Sequence, residues 1–351
     1  MSAAPRAEIL AVGVATPLGL DGPSAAAAVR AGLSRFREST RFWNKAGEPQ
    51  VLSLVDGEAL PELHPSVAAE PGSRTARMLQ LGAYALSQAC APCREPPPLL
   101  LALPDEREGI ADPAGPTFVR DLARQADVTL ADRGGRLYRQ GGAGVLVALR
   151  DALALLSAGA PQVVVGGVDS FLDPALLDAL DGEDRLVGAG MDGFVPGEGA
   201  AFLLLGARGA RREVGASPLA ALAGVGLAVE KGHRYSREPC RGDGLTAAFR
   251  ELFAGAPGAA PVRTVYAGMN GENLASKEWS IAYLRNAQRF QDDHAMEHPA
   301  DCIGDAGAAL APVMLGLAAL GLRQGTCAGP CLVWSASDRE ARGAALLVEA
   351  I

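Results

Sequence analysis

The run Gly199-Ala-Ala-Phe-Leu-Leu-Leu205 returns near the end of the chain as Gly343-Ala-Ala-Leu-Leu-Val-Glu349, and the Gly-rich stretch Gly141-Gly-Ala-Gly-Val145 returns as Gly304-Asp-Ala-Gly-Ala-Ala309. The two pairs occur in the same order, and each Gly-rich stretch opens a helical segment that is followed by a turn and a strand. Such ordered echoes predict an internal duplication, with one half over 1–210 and the other over 211–351. The polar, Arg-rich stretch 207–217 has the character of a surface linker between them. Within each half, short apolar runs alternate with Ala/Leu-rich helical stretches. The runs fall near 8–15, 98–103, 162–168 and 200–205, then near 220–229, 262–267, 331–335 and 344–349. Helices are expected near 23–31, 75–89, 143–157, 244–253 and 308–320. This alternation predicts an α/β fold with a largely parallel, helix-covered sheet.

Composition fits that architecture. The 351 residues are 49% hydrophobic and 21% charged, enough for two medium domains or one large duplicated one. Aromatics make up only 5% while Gly numbers 43, so the core must be Ala, Leu and Val packed closely against backbone. A net charge of -8 repels phosphate chains and argues against nonspecific nucleic-acid binding. No run approaches the roughly 20 apolar residues of a membrane helix, and the apolar stretch 9–20 contains Pro17 and lacks the pattern of a signal peptide. A cytoplasmic protein with reduced thiols and no membrane association is expected. Cys90 and Cys93 form one close pair and Cys327 and Cys331 another, but no His has the spacing of a zinc ligand set. Neither a metal nor a cofactor is expected. Segments 56–72 and 105–115 read as surface loops, and 285–298 as an exposed excursion before the next helix.

Three stretches carry a family likeness: Val12-Gly-Val-Ala-Thr-Pro-Leu-Gly19, Val163-Val-Val-Gly-Gly-Val-Asp-Ser170 and, most specifically, Asp192-Gly-Phe-Val-Pro-Gly-Glu-Gly199. They resemble β-ketoacyl synthases of the thiolase superfamily, over most of the chain. The resemblance implies a thiolase-like duplicated αβαβα layered fold, as a homodimer or a heterodimer of two such chains. It also implies three catalytic groups: a Cys at a helix N-terminus, where orphan N–H groups and the dipole favour thiolate, and two His. Counted back from Gly166-Gly167, the nucleophile position falls on Gly141 or Gly142, within Arg139-Gln-Gly-Gly-Ala-Gly-Val-Leu-Val-Ala-Leu149. Gly268 stands for the first His, in Ala267-Gly-Met-Asn-Gly-Glu-Asn273, and Asp305 for the second, in Ile303-Gly-Asp-Ala-Gly-Ala-Ala309. An Asp donates no hydrogen bond to an oxyanion unless its pKa lies well above neutral. The resemblance with these departures implies a degenerate site without catalytic residues at Gly142, Gly268 and Asp305, that is, a pseudoenzyme.

The replaced motifs bring polar residues with them. Asn270, Glu272, Asn273, Lys277, Glu278, Asp301, Cys302 and Asp305 are expected around the former catalytic cavity. One reading is a retooled acyl-binding or acyl-transferring site, with Cys302 as nucleophile, His298 as base and Asp305 or Glu272 as acid. The other has Asp305 as a helix N-cap, Glu272 and Lys277 as ordinary charges near a helix start, Cys302 packed, and His64 and His233 on the surface. Gln140 suggests a chain-length factor, the ketosynthase-like partner in which Gln replaces the acyl-carrying Cys. The stretches Asn270-Gly-Glu-Asn273 with Lys277-Glu-Trp279, and His298-Pro-Ala-Asp-Cys-Ile-Gly-Asp305, resemble thiolase-like proteins associated with bacterial type VI secretion clusters. That resemblance implies a non-catalytic accessory or scaffold protein, with a secretion effector or adaptor as its partner.

Overall fold

Short polar caps set where the helices begin. Asp21 accepts a hydrogen bond from Ser24 N, Ser73 from Ala76 N and Asp173 from Leu176 N, each opening a helix whose first turn otherwise leaves amide groups unpaired. The computed structural model describes residues 7–188, 192–207 and 217–350. In chain order its first half comprises β1 (Ala7–Ala15), α1 (Gly22–Arg30), β2 (Arg37–Trp43), β3 (Pro49–Leu52), α2 (Arg74–Cys90), β4 (Leu99–Leu103), α3 (Phe118–Gln125), β5 (Arg136–Arg139), α4 (Gly144–Ser157), β6 (Gln162–Ser170), α5 (Pro174–Gly182) and β7 (Glu198–Gly206). There follow β8 (Ala220–Val229), α6 (Asp243–Gly255), β9 (Val262–Ala267), α7 (Asn273–Asn286), β10 (Phe290–Glu297), α8 (Ala300–Ile303), α9 (Leu310–Gln324), β11 (Cys331–Ala336) and β12 (Ala341–Val348).

Ten strands form one sheet in the order β10-β9-β11-β12-β8-β1-β7-β6-β4-β5, with β2 and β3 as a separate hairpin. Read outward from the β1–β8 contact, the order is the same in both directions. The pairing senses match as well: β1–β7 and β8–β12 are antiparallel, as are β7–β6 and β12–β11, whereas β6–β4–β5 and β11–β9–β10 are parallel. The two five-strand sets meet through only three residue pairs, Ala7 with Leu222, Glu8 with Ala221 and Ile9 with Ala220. The boundary expected at 210/211 lies outside the described residues.

Burial explains why the strand sequences read as unbroken apolar runs. One face of each set packs on a central layer of α4 and α9, through Val163, Val165 and Leu203 on one side and Val333, Ala345 and Leu347 on the other. The opposite faces are covered by α2, over Val164, Phe202 and Leu204, and by α6 and α7, over Val265, Trp334 and Leu346. Strands buried on both faces carry apolar residues at every position, and the result is five layers, helix-sheet-helix-sheet-helix. Every residue of α9 from Leu310 to Leu322 is buried. The segment Gly307–Gln324 is apolar and long enough to cross a membrane, contrary to expectation, but 83% of it is buried inside this fold. Two glycines allow the outer helices to lie against the sheet. A Cβ on Gly13 would stand 1.8 Å from Ala85 O of α2, and one on Gly226 would stand 2.0 Å from Ala248 O of α6.

The expected strands and helices all form, but the sheet is mixed and not largely parallel: five of its nine strand pairings are antiparallel, because β7 and β12 run against both neighbours and β1 against β8. The elements beyond them, β2, β3, β5, β10, α3, α5, α7 and α8, are mostly short, polar or exposed. Segment 285–298 is not an excursion: it ends α7 and then forms β10, a polar edge strand parallel to β9.

The motif Asp192–Gly199 ties the segment before β7 to the turn before α9. Val195 O accepts from Asp305 N and Gly197 N donates to Asp305 O, both at 2.8 Å. Glu198, fully buried, accepts from Arg77 Nε at 3.0 and 2.9 Å, from Ser170 Oγ at 2.8 Å and from Val55 N at 2.7 Å. One carboxylate thus joins α2, β6, β7 and the segment after β3. Arg77→Ala leaves that charge buried without its counter-ion, and a loss of about 3–5 kcal/mol is expected, measured as a lower denaturant midpoint at unchanged slope.

Candidate functional site

The chain ends of several strands and the beginnings of both central helices converge on one place. The turn Gly141–Ala143 leads into α4 and the turn Gly307–Ala309 into α9. The residues leaving β4, β6, β9 and β11 at their C-terminal ends, Asp105, Phe171, Gly268 and Ser337, reach the same point and help line a cavity of about 350 Å³. In α/β sheets this is where ligands usually bind.

Gly142, Gly268 and Asp305, far apart in sequence, all line this cavity, as do Asn270, Glu272 and Glu278. The glycine positions are closed by backbone. A Cβ on Gly142 would lie 2.7 Å from Ala336 O and 2.7 Å from Ser335 Oγ; one on Gly268 would lie 2.8 Å from Trp334 O and 2.9 Å from Ser335 Cα. The end of β11 occupies the space that side chains at either position would need.

Five of the expected cavity residues, Asn273, Lys277, His298, Asp301 and Cys302, are elsewhere. Cys302 packs in the central core, its Sγ 4.0 Å from Val29 O of α1. Asn273 begins α7 with its backbone N–H donating to Asp192 Oδ1, and its side chain is exposed. His298 is half-buried and does not line the cavity. A Cys302–His298 nucleophile and base around Asp305 is therefore not assembled. Lys277 and Asp301 are exposed; His64 is also exposed, but His233 is half-buried, with its Nδ1 enclosed and without a hydrogen-bond partner. Gln140 directly precedes the Gly141–Ala143 turn. Its Oε1 is buried without a partner and it does not line the cavity.

Glu272 is no ordinary helix-start charge. Buried, it accepts from Arg185 Nε and Nη2, both at 2.9 Å, and pairs with Arg234 Nη2 at 2.7 Å. Arg185 also holds Asp338 through two hydrogen bonds of 2.7 and 2.9 Å. Arg342 and Glu278, both 1% exposed, form a two-bond pair at 2.8 and 2.7 Å. Arg74 donates to Asp169 at 2.8 Å, and Asp169 in turn accepts from Ala308 N at 3.1 Å, at the start of the second central turn. Bidentate guanidinium–carboxylate pairs of this kind fix side-chain geometry as well as charge.

Two cavity carboxylates differ from these. Neither Asp105 nor Asp305 has an ion-pair partner among the described residues. Asp305 accepts from Asn270 Nδ2 at 2.7 Å and, in a cap-like contact, from Gly307 N at 2.8 Å. Asp105 accepts from Ser337 Oγ at 2.7 and 2.9 Å and from Asp338 N at 3.2 Å. Burial pushes each up to about 6, against those hydrogen bonds. At neutral pH Asp305 is thus mainly ionised, an acceptor where the family resemblance implies a donor. The segment 105–115 is more than a surface loop, since Asp105, Arg107, Ile110 and Asp112 wall the cavity. Asp105, Arg185, Arg234 and Asp338 escape sequence reading: each lies in a polar segment that looks solvated, and only the fold brings them together.

No protein-family model matches this chain, and no curated protein matches it. Solved structures do. One is described as the type II PKS acyl-carrier protein in complex with its ketosynthase bound to the hexaketide (AntDE:AntF, apo), with a TM-score of 0.76 at 15% identity over 99% of this chain and 100% of that one. Another is the ishigamide ketosynthase/chain length factor, with a TM-score of 0.76 at 17% identity over 99% and 100%. A third is the ketosynthase from module 6 of the bacillaene synthase from Bacillus subtilis 168, at 0.77 and 13% over 98% and 72%. TM-scores of 0.76–0.77 over nearly the whole chain establish the fold: the chain has the thiolase-like architecture of ketosynthase and chain-length-factor structures.

Two outcomes follow from the cavity. Gly142→Cys drives its side chain into the β11 backbone, so a loss of about 1–3 kcal/mol is expected, seen as a lower melting temperature, with no acyl group taken from acyl-CoA by intact mass. Asp305 holds its proton more tightly folded than at its ordinary value of 3.8. Its contribution to stability is therefore complete below that value and is lost as pH rises through about 6. Asp305→Asn removes the loss. Relative to the parent it should gain about 1–2 kcal/mol between pH 4 and 7, read by denaturant titration at each pH.

Proposed function

We propose that this chain is a non-catalytic, ketosynthase-like accessory or scaffold protein that works by holding a protein partner. The observation that carries this reading is the closure of Gly142 and Gly268 by the Trp334–Ala336 backbone, at the positions where the family resemblance implies a nucleophile and a His. The ion pairs around Arg185, Arg342 and Arg74 add to it, because they give the cavity a fixed polar wall. The acyl-transferring alternative has lost its candidate nucleophile, since Cys302 packs in the core.

A second reading makes the partner an active ketosynthase, with this chain in the place of a chain-length factor. What supports it is the likeness to a structure described as a ketosynthase/chain length factor, whose chain this one spans to 100%. Effector loading in type VI secretion is the narrower form of the scaffold reading, and it rests on the resemblance of segments 270–279 and 298–305 alone. Homodimerisation, the assembly we propose in the absence of another chain, has a suitable edge in β5, where Leu137 is 40% exposed. We further propose that the repeated strand order reflects two related halves.

Incubation with acyl-CoA and with acyl-carrier-protein thioesters should leave the intact mass unchanged, whereas a covalent acyl adduct overturns the non-catalytic reading. Co-expression separates the partners. A stable heterodimer with a Cys-containing ketosynthase supports the chain-length-factor reading, and co-purification with a secretion effector or its adaptor supports the narrower one. Recovery of neither counts against a scaffold role.

A further inference from the structure

The cavity lies at the beginning of α9 and the end of β11. At the opposite ends of the same two elements, Cys327 and Cys331 bring their sulfurs to 3.6 Å. Cys327 is half-buried and borders a shallow recess with Arg30, Tyr266 and Glu297, whereas Cys331 is fully buried behind it. The fold makes room for this pair. A Cβ on Gly321 of α9 would stand 2.7 Å from Cys327 Sγ, so the missing side chain at 321 seats the thiol. Backbone carbonyls accept from both sulfurs, Ala318 O at 3.8 Å from Cys327 and Ala328 O at 3.6 Å from Cys331.

We propose that Cys327 and Cys331 form a dithiol site that exchanges with low-molecular-weight disulfides, Cys327 as the attacking thiol and Cys331 as the resolving one. A disulfide needs its sulfurs at about 2.05 Å, so bond formation requires the two side chains to rotate together from 3.6 Å. The division of roles follows from access, and the acid-base properties agree with it. Hydrogen bonds from Cys331 and Tyr266 favour thiolate at Cys327 against its burial, while the contact with Cys327 and burial push Cys331 up. The Cys327 thiolate attacks one sulfur of RSSR, forming a mixed disulfide and expelling RS⁻. Cys331 then gives up its proton and its sulfur displaces the second RS⁻. The protein loses two hydrogens and two electrons, and the small disulfide is reduced to two RSH.

Cys90 and Cys93 are the other close pair, so the product must be located as well as weighed. Native full-length protein is equilibrated with reduced and oxidised glutathione over a range of ratios, alkylated at low pH, digested and mapped by mass spectrometry. The expected product is a Cys327–Cys331 linked peptide, reversed by reduced glutathione. Cys331→Ala should stop at a mixed disulfide on Cys327. In native Cys327→Ala, Cys331 should react at least about tenfold more slowly than Cys327 does in Cys331→Ala, because it is buried. Separate alkylation of Cys327 and Cys331 at every ratio in the parent protein overturns the proposal, and so does equal reactivity of the two thiols in the paired variants.

Discussion

Two central helices set the architecture, α9 without a polar face and α4 with a narrow one at Arg150 and Asp151. From Leu310 to Leu322 every residue of α9 is buried, and α4 buries Val145, Leu146, Leu149, Ala152 and Leu156. A helix apolar on all sides must be covered on all sides. Here the cover is two five-strand sets, one above and one below the central pair. Each set then has an apolar outer face of its own, which α2 closes on one side and α6 with α7 on the other. The arrangement also determines where chemistry can occur. The same layers bring the turns before α4 and α9 to the ends of β9 and β11, so the starts of both central helices open on the shared cavity.

Much of this was legible because burial on both faces leaves a strong signal. The runs at 162–168, 200–205 and 331–335 are apolar at nearly every position, and the repeated Gly-Ala-Ala at 199–201 and 343–345 marks β7 and β12, which occupy equivalent places in the strand order. Edges leave a weaker signal. β10, with the sequence Phe-Gln-Asp-Asp-His-Ala-Met-Glu, pairs on one side only and keeps most of its side chains in water, so no apolar pattern is required of it. The same holds for β5. Glu198 and Arg77 show a different limit: the resemblance singles out the motif, but its role as a four-way buried junction depends on partners remote in sequence.

The candidate site divides in a similar way. Gly142, Gly268 and Asp305 could be placed because the family resemblance sets them at element ends, Gly142 and Asp305 inside the two Gly-rich echoes and Gly268 directly after the apolar run 262–267. Cys302 was grouped with Asp305 by proximity in sequence, yet Gly304 lies between them with φ +73°, a backbone turn that Gly adopts readily. On one side of that turn Cys302 packs in the core beneath α1; on the other Asp305 reaches the cavity. Arg185 and Asp338 have no such marker. Charges in loops are normally solvated, and only convergence in space buries Arg185 against a half-buried Asp338.

Electrostatics then restricts what the cavity can hold. Burying an apolar chain is favourable by about 25 cal/mol per Å² when the surface it covers is apolar. Here the wall presents Arg185, Arg234, Glu272, Asp305 and Asp338, and covering it with hydrocarbon strips water from charged and polar groups without replacing their hydrogen bonds. For an unpaired carboxylate such as Asp305 that cost is highest in the ionised form, so an apolar occupant would push its pKa further above 6. The charged part of this wall thus gives hydrocarbon little in return for the water it displaces, whereas the two glycine positions are closed sterically by backbone. The end of β11 and the loop beyond it, from Trp334 to Asp338, therefore do two things at once, closing Gly142 and Gly268 and supplying Ser337 and Asp338 to the polar wall.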